Sequence, residues 1–246
     1  MRRRLFLASS LAAVGLAGCA NVKAALTGGT FDGVLDTAQA LDERVIGTRG
    51  AARLYTPADV ERTFRVNGLD TPSDATYDAL VADDFHRYTL AVSGAVERPD
   101  RFTLAALRAL PQRAQITRFD CVEGWSAIGR WSGVPLGTLL ALVRPKPEAR
   151  YVVFRCFDRD PQGTPFYGSL DLQQAAHPQT LLALDLNDRP IDADHGGPVR
   201  VRIPTQLGYK NTKWVQRIEV VASFAQIGGG HGGYWEDQGY AWYAGI

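Results

Sequence analysis

The sequence has few of the residue patterns that mark the common metal-binding and nucleic-acid-binding proteins. Its four histidines, at positions 86, 177, 195 and 231, are too far apart for a familiar metal-ligand spacing. The formal net charge is +1, and no basic run follows residue 4, so nucleic acid is not an expected partner. A Cys-x-x-Cys-His motif for haem attachment is also absent from the sequence.

Other missing patterns argue against further classes of function, although the composition leaves a Ser–His–Asp hydrolase open. The glycines at 228–233 do not lie between a strand and a helix, as a phosphate loop of the P-loop or Rossmann type requires. No nucleophile-elbow pattern of a hydrolase occurs. The apolar run from Leu5 to Leu16 is shorter than the roughly 20 residues of a membrane-spanning helix. What remains is a chain with 46% hydrophobic and 22% charged residues, as is usual for globular proteins.

The first 19 residues resemble a bacterial export signal. The segment Arg3-Arg4-Leu5-Phe6-Leu7 resembles the twin-arginine signal, whose pathway carries folded proteins. Leu16-Ala17-Gly18-Cys19 resembles a lipobox, in which Cys19 is lipidated; an ordinary signal with a chance cysteine is the alternative. Acyl chains on Cys19 would anchor the protein to a membrane without a spanning helix.

These features predict how the chain is organised and where it acts. We expect a signal over residues 1–19, a tether over 20–55 and one folded domain over 56–246. We also expect a lipid-anchored protein of the bacterial periplasm, exported folded by the twin-arginine route.

Short apolar or alternating segments, separated by glycine and proline, predict a β-rich domain. Thr103 is the expected N-cap of a short helix, and Pro135 opens another. A turn is expected at 97–100 and a loop at 164–168. Many strands with a few short helices predict an α+β fold with mixed sheets. The expected strands cover 88–94, 116–121, 151–157, 180–186, 199–203 and 214–221, and the expected helices 104–110, 136–143 and 170–176.

The segment Gln115 to Leu140 holds the most unusual residue, Cys121, which is followed by two tryptophans. We interpret Cys121 as a thiolate that ligates a metal. Two alternatives remain open from the residues alone. One is a buried, inert thiol, since free cysteine is among the most buried residue types. The other is a disulfide between Cys121 and Cys156, which an oxidising compartment would permit.

A second cluster suits a phosphorylated ligand. His195-Gly196-Gly197-Pro198-Val199-Arg200 is followed by Gly208-Tyr209-Lys210-Asn211-Thr212-Lys213-Trp214. Glycines allow close backbone approach, while backbone amides, one arginine and two lysines favour an anion. An exposed loop with solvated lysines is the alternative reading of the same residues.

Several of these motifs resemble one family of enzymes. The periplasmic methionine sulfoxide reductase catalytic subunits have a molybdenum-binding segment similar to Cys121-Val122-Glu123-Gly124-Trp125-Ser126 and Trp131-Ser132-Gly133-Val134-Pro135-Leu136. The sulfite oxidases have segments similar to Asp158–Thr164, His195–Arg200 and Lys213-Trp214. Both groups belong to one superfamily of molybdopterin oxidoreductases, and the resemblance extends from about Phe64 to the C-terminus. It implies a sulfite-oxidase-type fold and a Mo-molybdopterin cofactor.

The resemblance also implies a set of site residues. Cys121 would be the protein's thiolate ligand to molybdenum, a soft donor for that metal. Tyr240 would be the tyrosine on the substrate side, although packing in an aromatic tail explains it equally well. The remaining implied residues would contact the pterin or its phosphate: Asn67, Cys156, Asp158, His195, Arg200, Asn211, Thr212 and Lys213.

The sequence departs from both groups at the substrate positions. Val66 and Ser126 stand where the sulfite oxidases have arginines for their dianionic substrate. Their loss weakens anion binding unless Arg65, Arg118 or Arg130 compensates. The acidic residue of the reductases' loop is also missing from 64–69. The substrate therefore stays open between the two groups.

Together these observations predict an exported molybdopterin oxidoreductase that transfers an oxygen atom to or from a small substrate, for which a sulfur compound is one candidate. Electrons would pass to or from a separate partner, such as a membrane haem protein or a cytochrome. Two alternatives differ in class. One is a non-catalytic lipoprotein that binds a ligand or partner on the same fold. The other is a hydrolase that uses a serine and His195.

Overall fold

Two five-stranded sheets form the framework of the part of the chain that the computed structural model describes, residues 50–68 and 71–246. These residues belong to one unit, Ile46–Ile246. The expected signal and its Cys19 lie outside the described residues, as does most of the expected tether. In the described ranges no helix is both long enough and apolar enough to cross a membrane.

The first sheet has the strand order β2-β1-β10-β5-β6. Strands β1 and β10 are parallel, and the other neighbours are antiparallel. Its strands are β1 (Thr89–Gly94), β2 (Asp100–Thr103), β5 (Tyr151–Arg159), β6 (Pro165–Asp171) and β10 (Val215–Val221).

The second sheet has the order β3-β4-β7-β8, and β9 also pairs with β7. All of its pairings are antiparallel. Its strands are β3 (Arg113–Cys121), β4 (Trp125–Pro135), β7 (Leu181–Leu186), β8 (Arg189–Pro190) and β9 (Arg200–Arg202).

The described residues form five short helices, and three of these begin at residues whose side chains accept hydrogen bonds from the first turn. The side chains of Asp74, Thr103 and Asp171 act as these N-caps. The helices are α1 (Ala75–Ala82), α2 (Leu104–Ala109), α3 (Leu136–Val143), α4 (Leu172–Ala175) and α5 (Tyr234–Asp237), with 3-10 turns at Pro57–Asp59 and Gly208–Lys210.

Two hydrophobic clusters lie on opposite faces of β7. Leu182 and Leu184 belong to the larger cluster, which takes residues from both sheets and from α3. Ala183 belongs to the smaller cluster, which is formed mainly by aromatic side chains. Cys121 packs against the edge of this smaller cluster, so one face of the second sheet positions the candidate site.

The α+β prediction is confirmed, and the expected turn at 97–100 lies between β1 and β2, with Asp100 already in β2. The segment 164–168, expected as a loop, contributes to β6, so that prediction was wrong. The glycine-containing segment after Cys121, which the residues also suggested as a loop, forms the 11-residue strand β4. Glycine usually weakens a strand. Here, however, Gly129 and Gly133 are buried where other segments of the same chain leave no room for a side chain.

Residues 51–55 of the expected tether contact the folded unit. The backbone of Ala52 exchanges two hydrogen bonds with the side-chain amide of Gln179, at 2.8 and 3.0 Å. The amide of Tyr55 donates to the carbonyl of Ile116 on β3, at 3.0 Å. The start of the domain at residue 56 therefore remains a prediction, and the contacts favour an earlier start.

Candidate functional site

Cys121 ends strand β3 at a tight hairpin. It pairs with Trp125 at the start of β4, and the amide of Gly124 donates to its carbonyl at 3.0 Å. Gly124 adopts a φ of +85°, which favours glycine. The hairpin holds a partly buried thiol beside the smaller hydrophobic cluster. Burial raises the pKa of this thiol, and the positive charge of Arg200 opposes the rise.

Cys121 and Cys156 are both free thiols, so the structure does not contain the disulfide that the sequence left open.

Arg200 lies fully buried on β9, and its charge acts on the Cys121 thiol. Its guanidinium donates to the carbonyl of His195 at 2.9 Å and to the side-chain oxygen of Asn67 at 2.8 Å. Its carbon Cζ lies 5.2 Å from the ring centroid of Phe119 and 5.3 Å from that of Trp131. These contacts hold the guanidinium group in one orientation. Its Nε atom has no hydrogen-bond partner among the described residues.

Asn67 connects this arginine to a neighbouring cleft. Its side chain accepts from Arg200, and its backbone carbonyl accepts from Nζ of Lys213 at 2.9 Å. Lys213 also donates to the carbonyl of Asp194 and lies 4.0 Å from the ring centroid of Trp214. Arg200 and Lys213 are therefore both hydrogen-bonded to the same residue, Asn67.

The cleft has a cavity volume of about 80 Å³ and opens to solvent. Lys213 is the single cationic side chain among its described lining residues. The lining combines polar groups with an aromatic wall: Asn67, Gly68, Cys156, Asp158, Phe166, Tyr167, Gly208, Tyr209, Asn211, Thr212, Lys213, Trp214 and Trp235.

Asp158 is a buried carboxyl group that faces this cleft. Its side chain is 6% exposed, and Oδ1 has no hydrogen-bond partner among the described residues. Burial raises its pKa to about 7, although Lys213 acts in the opposite direction. Cys156, two residues earlier on β5, is also buried, and burial raises the pKa of its thiol well above the usual range. A ligand with N–H groups would satisfy the unpaired oxygen of Asp158.

Aromatic rings form a continuous rim at the cleft. Phe166 and Tyr234 lie 3.9 Å apart between centroids, and Trp235 lies 5.9 Å from Phe166. Tyr240 does not line the cleft itself. It packs 5.4 Å from Trp235 and 5.1 Å from Tyr209, both of which do, and it is 37% exposed.

His195 is held within the chain at both ring nitrogens. Nδ1 lies 2.7 Å from Oδ1 of Asp192, and Nε2 lies 2.9 Å from the carbonyl oxygen of Phe64. Among the described residues no serine hydroxyl is hydrogen-bonded to this ring. The arrangement required by the hydrolase alternative is therefore not formed.

The structure brings most of the expected site residues into two adjoining places. Asn67, Cys156, Asp158, Asn211, Thr212 and Lys213 line the cleft. Cys121, His195 and Arg200 lie outside the lining. Arg200 is hydrogen-bonded to Asn67 of the lining and to the carbonyl of His195, and its charge acts on the Cys121 thiol. The backbone amide of Asn211 was expected to donate to the phosphate. It already donates to the carbonyl of Gly208, at 3.0 Å, so it is not available for that role.

Several residues of the site were missed in the sequence. The aromatic wall was not expected, nor was Arg202, which lies buried beside Arg200. The pattern Arg200-Val201-Arg202 could have predicted the position of Arg202, because alternate residues of a strand project from the same face.

The donors present fit a molybdopterin. Within the described ranges no three His, Cys, Asp or Glu side chains are grouped to hold a metal ion, and the soft donors there are two free thiols, the partly buried Cys121 and the buried Cys156. The unpaired Asp158 oxygen and the charge of Lys213 match a pterin with N–H donors and a phosphate. The buried charge of Arg200 suits an anionic group near the thiol.

Comparisons with known proteins agree with this chemistry. Residues 77–226 match the family described as oxidoreductase molybdopterin binding domain. A putative protein-methionine-sulfoxide reductase subunit, YedZ1, from Azospira oryzae is 43% identical over 196 residues, which is 79% of this chain and 68% of the relative. The protein-methionine-sulfoxide reductase catalytic subunit MsrP of Xanthomonas axonopodis is 33% identical over 233 residues, 89% of this chain and 69% of the relative.

One solved structure shares the fold. It is the sulfane dehydrogenase SoxCD from Paracoccus pantotrophus, with a TM-score of 0.50 and 24% identity. The match covers 56% of this chain and 39% of that one, so it supports the sulfite-oxidase-type fold and nothing finer.

The geometry and these matches agree, and the chain belongs to the oxidoreductase molybdopterin-binding domain family as a molybdopterin-dependent oxidoreductase with a Mo-molybdopterin cofactor.

Proposed function

We propose that this enzyme reduces sulfoxides, with methionine sulfoxide as the substrate class, using electrons from a separate haem partner. The observation that carries the proposal is the chemistry of the cleft: Lys213 is the one cation among the described lining residues and is assigned to the cofactor phosphate, so the aromatic rim has no further lining cation for a substrate anion. A sulfoxide is neutral and pairs well with aromatic rings, whereas a sulfite dianion needs several cations. Two relatives are named as protein-methionine-sulfoxide reductase subunits, which supports this choice.

The three arginines that were considered as replacements for the missing anion-binding pair are engaged elsewhere. Arg118 is paired with Asp120 at 2.9 Å, and Arg130 is paired with Asp188 at 3.1 Å. Arg65 lies 5.1 Å from the ring centroid of Trp125. None of the three lines the cleft, so none of them adds a cation beside Lys213 there.

The reaction balances as a sulfoxide, two protons and two electrons giving a thioether and water. The cofactor supplies the two-electron oxygen-transfer chemistry when bound. The chain's own residues bind and orient: Cys121 would provide the protein ligand, while Asp158 and Lys213 would hold the pterin and its phosphate. The aromatic rim would exclude water and pack against the methyl thioether group. The hydroxyl of Tyr240 would donate a hydrogen bond to the sulfoxide oxygen.

The experiment uses protein matured in a host that makes the molybdenum cofactor. We expect one molybdenum and one pterin per chain, and reduction of methionine sulfoxide by a viologen-reduced sample, with no oxidation of sulfite. Sulfite oxidation without sulfoxide reduction would contradict the proposed substrate. Protein that is folded and exported but lacks metal would favour the non-catalytic alternative.

The ligand assignment is tested with two cysteine variants. Cys121→Ser is expected to lose the thiolate-to-molybdenum absorption and turnover, because a serine oxygen is a harder donor. Cys156→Ser is expected to keep that absorption, since Cys156 lies in the cleft wall on β5. If Cys121→Ser keeps both the absorption and turnover, Cys121 is not the ligand.

We further propose that the protein is exported folded and anchored by lipid, as Arg3-Arg4 and Cys19 predict. Replacing both arginines with lysine would leave the protein in the cytoplasm. Cys19→Ala would leave it exported but released from the membrane fraction. A membrane-bound Cys19→Ala protein would contradict the anchor. The electron donor would be a membrane haem protein or a cytochrome, supported by the relatives' description as subunits.

A further inference from the structure

Arg202 is a second buried arginine beside the candidate site. It stands two residues after Arg200 on β9, so both side chains project from one face of the strand. Its Cζ lies 5.5 Å from the ring centroid of Phe119 and 5.4 Å from that of Trp131, the same two rings that Arg200 contacts. Both arginines are 0% exposed.

Neither arginine has an acidic partner within ion-pair distance. The ion pairs among the described residues all involve other side chains. Burial lowers the pKa of each to about 9, and the charge of Arg200 contributes to the lowering at Arg202. Both are still protonated at neutral pH. Two adjacent buried cations are unfavourable unless an anion offsets them.

The hydrogen bonds of Arg202 join the two halves of the site. One terminal nitrogen donates to the Thr117 hydroxyl at 3.1 Å and to the Arg118 carbonyl at 2.6 Å. Both residues belong to β3, the strand that ends at Cys121. The other nitrogen donates to the side-chain oxygen of Asn211 at 2.9 Å, and Asn211 lines the cleft. One rigid guanidinium thus bridges the strand that carries the thiol and the cleft wall.

We propose that Arg202 is a positioning residue of the molybdopterin site that holds the Cys121 strand against the cleft wall and adds its charge to that of Arg200. The inference rests on the proposed role of Cys121. Positive charge near a redox centre favours the reduced state, which carries more negative charge. Arg202 therefore raises the reduction potential of the bound cofactor and helps to retain it.

The test separates charge from hydrogen bonding. Arg202→Lys keeps the charge, while Arg202→Gln keeps a donor and removes the charge. The control is Arg108→Gln, because Arg108 also makes two hydrogen bonds, to Asp185, but is exposed and lies outside the site. The readouts are the midpoint potential of molybdenum, followed by its paramagnetic resonance signal, and the metal and pterin content.

We expect a more negative potential and lower cofactor content in Arg202→Gln, a potential near that of the wild type in Arg202→Lys, and no change in Arg108→Gln. A wild-type potential in Arg202→Gln, or equal shifts in both Arg202 variants, would overturn the inference. If Arg202→Gln does not fold, Thr117→Val decides, since it removes the β3 hydroxyl that accepts from Arg202 and leaves the charge in place. Lower cofactor content is expected in Thr117→Val, and wild-type cofactor content would overturn the inference.

The two proposals fail in distinguishable ways. If Cys121→Ser keeps the thiolate-to-molybdenum absorption, the ligand assignment fails whatever the Arg202 variants do. If Cys121→Ser loses the absorption while Arg202→Gln retains the wild-type potential and cofactor content, the role of Arg202 alone is refuted.

Discussion

Asp158 is a residue that could bind a ligand but whose ionised form destabilises the folded chain. An ionised carboxylate that is buried without a full set of partners is unfavourable, and this raises its pKa from 3.8 to about 7. The folded chain therefore holds a proton at Asp158 that the unfolded chain releases at lower pH. A ligand that donates hydrogen bonds to the carboxylate would remove much of this disadvantage.

The pH dependence of stability follows with a definite sign. Because the folded pKa lies above the unfolded value, the contribution of Asp158 is fully present below about pH 4 and is lost as pH rises through about 7. Relative to Asp158→Asn, the cofactor-free wild type should lose up to about 4 kcal/mol of unfolding free energy across this window, at about 1.4 kcal/mol per pH unit. Urea unfolding of both proteins at several pH values measures the difference. A difference that does not vary with pH would show that Asp158 is not protonated in the folded chain.

Tyr240 can be tested without disturbing its packing. Tyr240→Phe keeps the ring against Trp235 and Tyr209 and removes only the hydroxyl. If that hydroxyl donates to the substrate oxygen, turnover falls by at least about tenfold at unchanged molybdenum content. Tyr151→Phe is the control, because Tyr151 belongs to a separate aromatic group with Phe224 and Trp242. Equal turnover in wild type and Tyr240→Phe would mean that Tyr240 only packs.

At the scale of elements, the hairpin β3–β4 depends on glycines for two different reasons. Gly124 needs its positive φ but has open space around it, so Gly124→Ala should cost about 1 kcal/mol. A Cβ at Gly133 would lie 2.0 Å from the Leu182 carbonyl oxygen on β7, so Gly133→Ala should cost about 3 kcal/mol by forcing the strands apart. Denaturant unfolding of the two variants measures which of them has the lower unfolding free energy. A smaller effect at Gly133 would contradict the close approach of β4 and β7.

Helix α5 is tied to the 3-10 turn Gly208–Lys210 by a buried ion pair. Lys210 and Glu236 are hydrogen-bonded, and their side chains are 1% and 4% exposed. Lys210→Met would leave Glu236 buried without its partner and should lower the unfolding free energy by about 3–5 kcal/mol. The double variant Lys210→Met/Glu236→Gln should recover part of this loss. If the double variant is as unstable as the sum of both single variants, the two side chains do not interact.

The elements that the sequence predicted are those whose signals are local. Thr103 acts as the expected N-cap, and the helix that follows Pro135 has the expected bounds. Strand β4 could not be predicted in this way. Some of its buried positions are occupied by glycine. At Gly129, a Cβ atom would lie 3.0 Å or less from the side chains of Phe64 and Leu186, so these two residues explain why a glycine is needed there. Such contacts between residues distant in sequence are set by tertiary packing.

At the scale of the molecule, the sequence predicted the chemistry of the site better than its layout. The cofactor was predicted from the resemblance of short motifs to a known family, since the thiol beside tryptophans and the glycine-rich basic segment that carry the resemblance are local in the chain. The link through Asn67, the second buried arginine and the aromatic wall are not visible, because they join the segments 64–68, 117–121, 166–167 and 200–213. A single sequence does not record which distant residues meet.

The start of the domain is the last feature that can be tested on the whole molecule. Gln179 exchanges two hydrogen bonds with Ala52, and its carbonyl accepts from the side chain of Gln115 at 2.9 Å. Since Gln115 lies on β3, residues before 56 help to hold the strand that ends at Cys121. A chain that begins at residue 56 should therefore be less stable than one that begins at residue 50, by about 1–2 kcal/mol after the entropy of ordering is subtracted. Denaturant unfolding of the two chains measures this difference. Equal stability would place the boundary at residue 56, as the sequence alone predicted, and would separate the site from everything before it.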